Sequence, residues 1–576
     1  MRWLLSLACA CVAGAATPAI VDAARSEDRA ALAALVAQKA DVNARDEDGA
    51  TALAWAAMRG DVDIARILLA AGANPNIVNE LGVGPLSLAI TNGSLELVNL
   101  LVERHANPEL ARENGETPLM TAVRSGRVDM LKVLLAAKAN ANAREKHFGQ
   151  TALMWAAGNP EAVRLLLSHG ADAMAVTKAW DVKYVIYAPT TVTLGKTGIP
   201  WNTDGEYVTK KGGLNALFFA VQRHDIESAK MLLAAGVSVN APSADGTTPL
   251  LAALFNWDLP GVTFVPGKGA PAQAGSSQRF TADLAMANFL LDHGATVKVT
   301  DGAGYTPLHG AVLAVASAAL TKEQRRGGAY GRNASSLSLG GADNKPAHSV
   351  EEALAVVAKV LAAGADPNAQ TRYPTAGPAG DVRINPAAPG SSPLHISASA
   401  NSARLVKMLT DRGANPNLVR KDGHTPFSTA VLAGDLAAVK EMVAHGADIQ
   451  RRYDPADKIP DPVEAITISR QNQSIMHIAA LGGAKEVIEY LYSLGAPIDH
   501  KNSLGETPLA LADHQERYRE AIERQSAEGD VEKLKKVARK TAVSDTFKKL
   551  LASGTRGANA RPAQKPAYRL AARADQ

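Results

Sequence analysis

The hydrophobic pattern of the chain is helical, and it breaks and restarts at a nearly fixed interval. Between Asn114 and Asn142 the order is Asn114-Gly115-Glu116-Thr117-Pro118-Leu119, an Ala-containing apolar run to Gly126, and a second apolar run through Leu134-Leu135. Gly115 permits a tight turn with positive φ. Thr117 suits an N-cap, and Pro118 suits the first helical position, where no N–H is needed. Leu119 and Ala122 open one helix. Val128, Leu131, Leu134 and Leu135 recur at helical spacing in a second.

The position held by Thr117 returns at Thr51, Gly84, Thr151, Asn215, Thr248, Thr306, Ser392, Thr425, Ser474 and Thr507. Neighbouring positions are most often 33 or 34 residues apart, with longer gaps of 49 to 86. Asp245-Gly246-Thr247-Thr248-Pro249-Leu250 and Asp422-Gly423-His424-Thr425-Pro426-Phe427 repeat the turn and helix start. Leu68-Leu69-Ala70-Ala71-Gly72-Ala73 and Leu361-Ala362-Ala363-Gly364-Ala365-Asp366-Pro367-Asn368 repeat the end of the second helix. From about Ala19 to Leu551 the chain therefore resembles the ankyrin-repeat family, whose period is about 33 residues. The resemblance implies an all-α solenoid: stacked helix-turn-helix repeats with short β-hairpin fingers. It names no partner.

The repeats override the several compact domains that 576 residues would otherwise suggest, because a solenoid grows by adding units that touch mainly their neighbours. The reading places N-terminal repeats at 19–172, beginning with a degraded cap whose helices run Val21–Glu27 and Asp28–Gln38. An aromatic-rich insert follows at 173–211, with Trp180, Tyr184, Tyr187, Trp201 and Tyr207. It sits where the fold carries a finger and should lengthen it. Val182–Tyr187 and Thr190–Leu194 are β-branched and aromatic and read as strands. Repeats resume over 212–450. Inserts near 257–280 and 317–349 split helix pairs, and one near 371–389 lies on the finger side. A further finger-side insert covers 451–470, C-terminal repeats and a charged cap cover 471–552, and a disordered basic tail covers 553–576.

Composition changes the picture in three places. Hydrophobic residues make up 47% but aromatics only 5%, so Ala and Leu must fill the core. The net charge of +4 is too small to argue for nucleic acid, and none is expected as a partner. Met1-Arg2, the apolar run from Trp3 to about Ala16, and Ala13-Gly14-Ala15 read as a secretory signal over residues 1–15, which places the protein in the periplasm or outside the cell. Cys9 and Cys11 are the only cysteines and lie inside that signal. Cleavage after Ala15 leaves no disulfide, thiolate nucleophile or Cys-based metal site. Acylation at Cys9 is the weaker alternative, because Leu7 stands one place from where a lipoprotein signal carries it. No later segment is long and apolar enough to span a membrane.

Candidate chemistry is sparse. His309, His395 and His477 share one slot in different repeats, and the family resemblance implies structural hydrogen bonds there. Gly267-Lys268-Gly269 lacks the phosphate-loop spacing, and Asn202–Glu206 lacks the alternating oxygens of a calcium loop. No cofactor, metal or catalytic residue is assigned. Trp55, Trp155 and Phe219 share a first-helix slot and read as packing.

In the family, finger turns and the outer residues of the first helix line a concave groove. By register these are Glu47, Asp48, Met58, Arg59, Glu80, Asn92, Glu113, Glu116, Arg124, His147, Phe148, Gln222, Arg223, Lys421 and His424. The five insert aromatics join them as candidate anchors, because aromatics bury much area with few rotors. The reading is a non-catalytic, exported protein-interaction scaffold, monomeric, binding a protein partner through this surface. Two alternatives stand beside it: an accessory or inhibitory subunit of an exported enzyme or redox complex, and an exported hydrolase or ligand-binding protein with its site in the inserts.

Overall fold

The computed structural model describes residues 17–187, 203–255, 282–319, 348–372, 390–400, 402–420, 423–453, 472–526 and 542–553. The signal segment, the strand reading at Thr190–Leu194, Trp201, most of the four later inserts, Lys421 and the basic tail lie outside them. The described chain forms two compact units.

In the first unit, α1 (Ala19–Arg25) and α2 (Arg29–Ala37) form the N-terminal cap. Helix α1 starts two residues earlier than the sequence reading. The Pro18 carbonyl accepts from the N–H groups of Val21 and Asp22 at 2.8 and 3.1 Å, so the first turn closes there. Four helix pairs follow: α3 (Ala52–Arg59) with α4 (Val62–Ala70), α5 (Pro85–Asn92) with α6 (Leu95–Glu103), α7 (Pro118–Arg124) with α8 (Val128–Ala136), and α9 (Ala152–Ala156) with α10 (Pro160–Ser168). The first unit ends with α11 (Ala216–Gln222) and α12 (Ile226–Ala234), which follow a hairpin of β1 (Ala179–Tyr187) and β2 (Thr203–Gly212) whose residues 181–211 belong to the second unit.

The second unit pairs α13 (Pro249–Phe255) with α14 (Leu284–Asp292), α15 (Pro307–Ala319) with α16 (Val350–Ala362), and α17 (Pro393–Ser399) with α18 (Ala403–Thr410). It continues with α19 (Pro426–Ala433) and α20 (Leu436–Ala444), then α21 (Ile475–Gly482) and α22 (Lys485–Ser493). The long α23 (Pro508–Ser526) and α24 (Ala542–Ser553) close it. Glu516 fastens this end. Its buried carboxylate accepts from the N–H groups of Val543 and Ser544 at 3.0 and 3.1 Å, at the start of α24.

Each of the eleven recurring positions immediately precedes a first helix. Thr51, Thr117 and Thr425 accept the N–H three residues on at 3.2, 3.3 and 3.1 Å. Gly84 has no side chain to do this, and Pro85 at the first helical position carries the start instead. Second helices are capped in the same way by Asp61, Ser94, Asn159, Asp225, Asp283 and Asp435.

Within each unit the core lies between helix pairs; in the first, Leu53, Ala56 and Ala57 of α3 and Ile64 and Leu68 of α4 are fully buried. Alanines let successive first helices approach closely. Gly482 marks one such approach: a Cβ there would stand 2.7 Å from the main-chain oxygens of Leu432 and Val431. Main chain cannot swing aside as a side chain can. Gly482→Ala is therefore expected to destabilise the second unit by about 1–3 kcal/mol, read as a lowered urea midpoint. An unchanged midpoint would mean that α21 and α19 do not pack backbone to backbone.

In the aromatic insert β1 and β2 pair as a two-stranded hairpin. Thr177 donates to the Leu214 carbonyl at 2.9 Å and Leu214 donates to Thr177 Oγ1 at 3.0 Å, which closes the hairpin base. Its second strand is Thr203–Gly212. The finger-side insert after Thr371 is closed by hydrogen bonds with Gly390 and Ser391, and the one after Tyr453 by a two-way pair with Gln473.

Candidate functional site

The fingers form a ladder. Glu80 donates its N–H to the Asp48 carbonyl at 3.0 Å, Glu113 to Leu81 at 3.4 Å, Lys146 to Asn114 at 2.9 Å and Lys178 to Phe148 at 2.7 Å. In the second unit Gly302 donates to Asp245 and Arg372 to Ala303. Each turn is held internally. Asp46 Oδ1 accepts from the N–H groups of Asp48 and Ala50, Asn79 Oδ1 from Leu81 and Val83, and Asn502 Oδ1 from Leu504 and Glu506. Gly82 has φ +70°, and a Cβ there would meet the Glu113 nitrogen at 2.9 Å, so only glycine lets the next finger close.

A second ladder was not anticipated. Asn43, Asn76 and Asn142 each accept the N–H of Asn74, Asn107 and Asp172 in the following repeat, at 2.6 to 2.7 Å. Asn368 and Asn417 do the same in the second unit. The recurring Asn-x-Asn of Asn74–Asn76, Asn140–Asn142 and Asn415–Asn417 was the available signal.

The ladders hold Glu47, Asp48, Glu80 and Glu113 exposed at successive tips, with Leu81 66% exposed beside Glu80. Met58 is 46% exposed at the end of α3. Arg59 is exposed and ion-paired to Glu27 at 3.1 Å, and Asn92 donates to the Met58 carbonyl at 3.0 Å. Gln222 is half-buried, and the Arg223 stem lies against Gly158.

Two of these readings need correction. Glu116 is 1% exposed and cannot line a groove. Its Oε1 accepts from Arg124 Nε and Nη2 at 3.0 and 2.8 Å and from Thr121 Oγ1 at 2.9 Å, so Arg124 is committed to the same buried pair.

His147, Phe148 and Trp180 come together at the hairpin base. Phe148 lies 5.4 Å, centroid to centroid, from both His147 and Trp180. Tyr184 and Tyr187 lie on β1 and Tyr207 on β2. His424 bonds Ser428 Oγ through Nδ1 at 3.2 Å, and its carbonyl accepts from His395 Nε2.

The three slot-sharing histidines are built into the repeats. Their Nδ1 atoms meet the hydroxyls of Thr306, Ser392 and Ser474 at 2.8 to 2.9 Å. Burial lowers the pKa of His309 to about 4 and lowers that of His477. Trp55 donates Nε1–H to Asp46 at 2.8 Å and stacks under Arg25, which fixes it as packing. Asp411, Glu441 and His445 lie close enough to hold a cation. The Lys407 ammonium, 3.1 and 3.5 Å from the two carboxylates, already supplies one.

The two faces of the stack differ in charge. Along the second helices, charges pair between repeats: Arg66 with Glu96 and Lys132 with Glu161, and in the second unit Arg404 with Glu351 and Lys407 with Glu441. At the first three finger tips, Glu47, Asp48, Glu80 and Glu113 form no ion pair among the described residues.

Helix pairs that stack within each unit, with fingers hydrogen-bonded one to the next, make a repeat solenoid. The chain belongs to the ankyrin-repeat family. The family model for ankyrin repeats matches residues 20–112, 86–177 and 353–453. The chain is 42% identical over 122 residues to the rat cyclin-dependent kinase 4 inhibitor B, covering 21% of this chain and 82% of that protein. It is 34% identical over 120 residues to the human protein phosphatase 1 regulatory subunit 27, covering 21% and 66%. A Caenorhabditis elegans homolog of the transient receptor potential cation channel subfamily A member 1 is 27% identical over 137 residues, 23% of this chain but only 10% of the channel.

Proposed function

We propose that this protein is a non-catalytic scaffold that works outside the cytoplasm and binds a protein partner through its finger face and lengthened finger. One observation carries the reading: several charges along the second helices pair between repeats, while the carboxylates of the first three finger tips form no ion pair among the described residues. A rigid, prearranged array of this kind binds with little ordering cost. The apolar N-terminal run supports export. The relatives named as a regulatory subunit and a kinase inhibitor favour a second, narrower form, in which the partner is an exported enzyme held as an accessory or inhibited complex.

The test is affinity purification of the tagged chain from its own exported fraction. A parallel variant has residues 182–209 replaced by a short Gly-Ser turn, which leaves the Thr177–Leu214 base intact. The expected result is one stoichiometric protein, weakened or lost with the shortened finger. No protein captured by either form, at low salt with crosslinking, would overturn the reading.

A further inference from the structure

The finger face has a sign as well as a shape. In the first unit three cations near the fingers are tied down. Arg25 pairs with Asp46 at 3.3 Å, Arg59 with Glu27 at 3.1 Å and Arg124 with Glu116 at 2.8 Å. Glu47 and Asp48 on the first tip, Glu80 on the second and Glu113 on the third remain exposed and without ion pairs among the described residues. Arg45, two residues before Glu47, is an exposed cation beside the first tip, and exposed Lys146 on the fourth tip ends the acidic row. Leu81 stands within that row with two-thirds of its surface in water, and Met58 adds exposed apolar surface at the end of α3. The tips do not move independently, because backbone hydrogen bonds join Asp48 to Glu80 and Leu81 to Glu113.

From this we infer that the first three fingers dock an extended, lysine- or arginine-rich segment of a partner protein that carries an apolar side chain for Leu81. The inference rests on the protein-binding reading above and gives its partner a chemistry. Spacing sharpens it. Neighbouring packed helices lie about 8–10 Å apart, and an extended or polyproline chain advances about 3.1–3.4 Å per residue. Every third residue of the segment therefore faces a successive tip, so the basic residues fall at i, i+3 and i+6. The four carboxylates attract such a segment from solution and set its position, and Leu81 supplies contact that does not depend on salt. The same carboxylates repel an acidic segment.

The test uses the full chain and a fluorescein-labelled 13-residue peptide with lysine at every third position and one central leucine. A peptide of identical composition in shuffled order is the control, and fluorescence anisotropy is the readout. The expected result is tighter binding of the periodic peptide. Affinity should fall roughly tenfold or more in the E47Q/D48N/E80Q/E113Q variant, since exposed pairs are each worth a few tenths to about 1 kcal/mol. It should fall again in L81S. Because these side chains are exposed, each variant should retain the wild-type thermal midpoint. E96Q/E161Q, on the second helices, should bind as wild type does.

Equal binding of the two peptides, or periodic binding untouched by the fourfold neutralisation, overturns the inference. So does a protein partner captured equally well by wild type and the fourfold variant, which would leave the protein-binding reading standing. Failure to capture any protein strikes that broader reading itself.

Discussion

Replacing Glu116 with alanine is expected to destabilise the first unit by about 2–4 kcal/mol, although the residue belongs to a finger turn where most substitutions should be mild. The carboxylate is 1% exposed and its Oε1 collects three hydrogen bonds, two from Arg124 and one from Thr121. Removing it leaves Arg124, whose side chain is only 22% exposed, without its partner. The damage extends further, because Arg112 feels Glu116 as an attraction and Arg124 as a repulsion. Without the carboxylate, two guanidinium groups face each other in a half-buried place. The check is urea denaturation of Glu116→Ala, Arg124→Met and the double variant. The double should recover part of the loss, because it removes the orphaned charge as well. A single variant within about 0.5 kcal/mol of wild type would mean that the pair is not buried as described.

Asp301→Asn should act in the opposite direction and stabilise the second unit at neutral pH. Asp301 Oδ1 accepts from the N–H groups of Ala303 and Tyr305 at 3.0 and 2.8 Å, as Asn79 and Asn502 do in the equivalent turns, so an amide fits the place. The carboxylate is costly because burial, helped by the negative charge of Asp245, raises its pKa from 3.8 to about 6. A carboxyl group whose folded pKa lies above its unfolded one holds its proton more tightly when folded. Its contribution is therefore favourable at low pH and is lost as the pH rises from about 4 through 6. By linkage, that shift corresponds to up to about 3 kcal/mol. Wild type and Asp301→Asn should match near pH 4, and the variant should gain as the pH approaches 7.5. The difference between them isolates Asp301 from the other titrating groups. A variant less stable than wild type at pH 7.5 would show that the charge itself is needed, for example by Lys211, which pairs with Asp245 at 2.6 Å.

Much of the fold was legible because each repeat spells out its own local chemistry. A Thr, Ser or Asn before a Pro or Ala marks the first helix, a Gly marks the finger turn, and the apolar spacing marks the pair. These signals act within a few residues of each other and recur in most repeats; Gly84 replaces the capping residue in one, and Ile475 follows Ser474 in another. The finger hairpin was half legible. The apolar, β-branched Val182–Tyr187 showed its strand, whereas Thr203–Gly212 is polar, contains Gly205 and carries no comparable pattern. Glu116 was placed on the groove by register alone. Its burial depends on Arg124 and Thr121 one turn along α7, which register does not encode. The Asn ladder joins residues about 31 positions apart, and the raised pKa of Asp301 depends on a neighbouring finger. Both become visible only when the repeats are stacked.

The central claim is that the finger face is the surface that meets a protein. It is tested most directly by placing a photo-crosslinking amino acid at Leu81 or Asn114 on the tips, and in separate variants at Arg66 or Lys132 on the second helices. Irradiation would follow in the native cell fraction that holds the protein. The account predicts one crosslinked protein from the tip positions and none, or far less, from the second helices. Crosslinks that form only from Arg66 and Lys132 would contradict it.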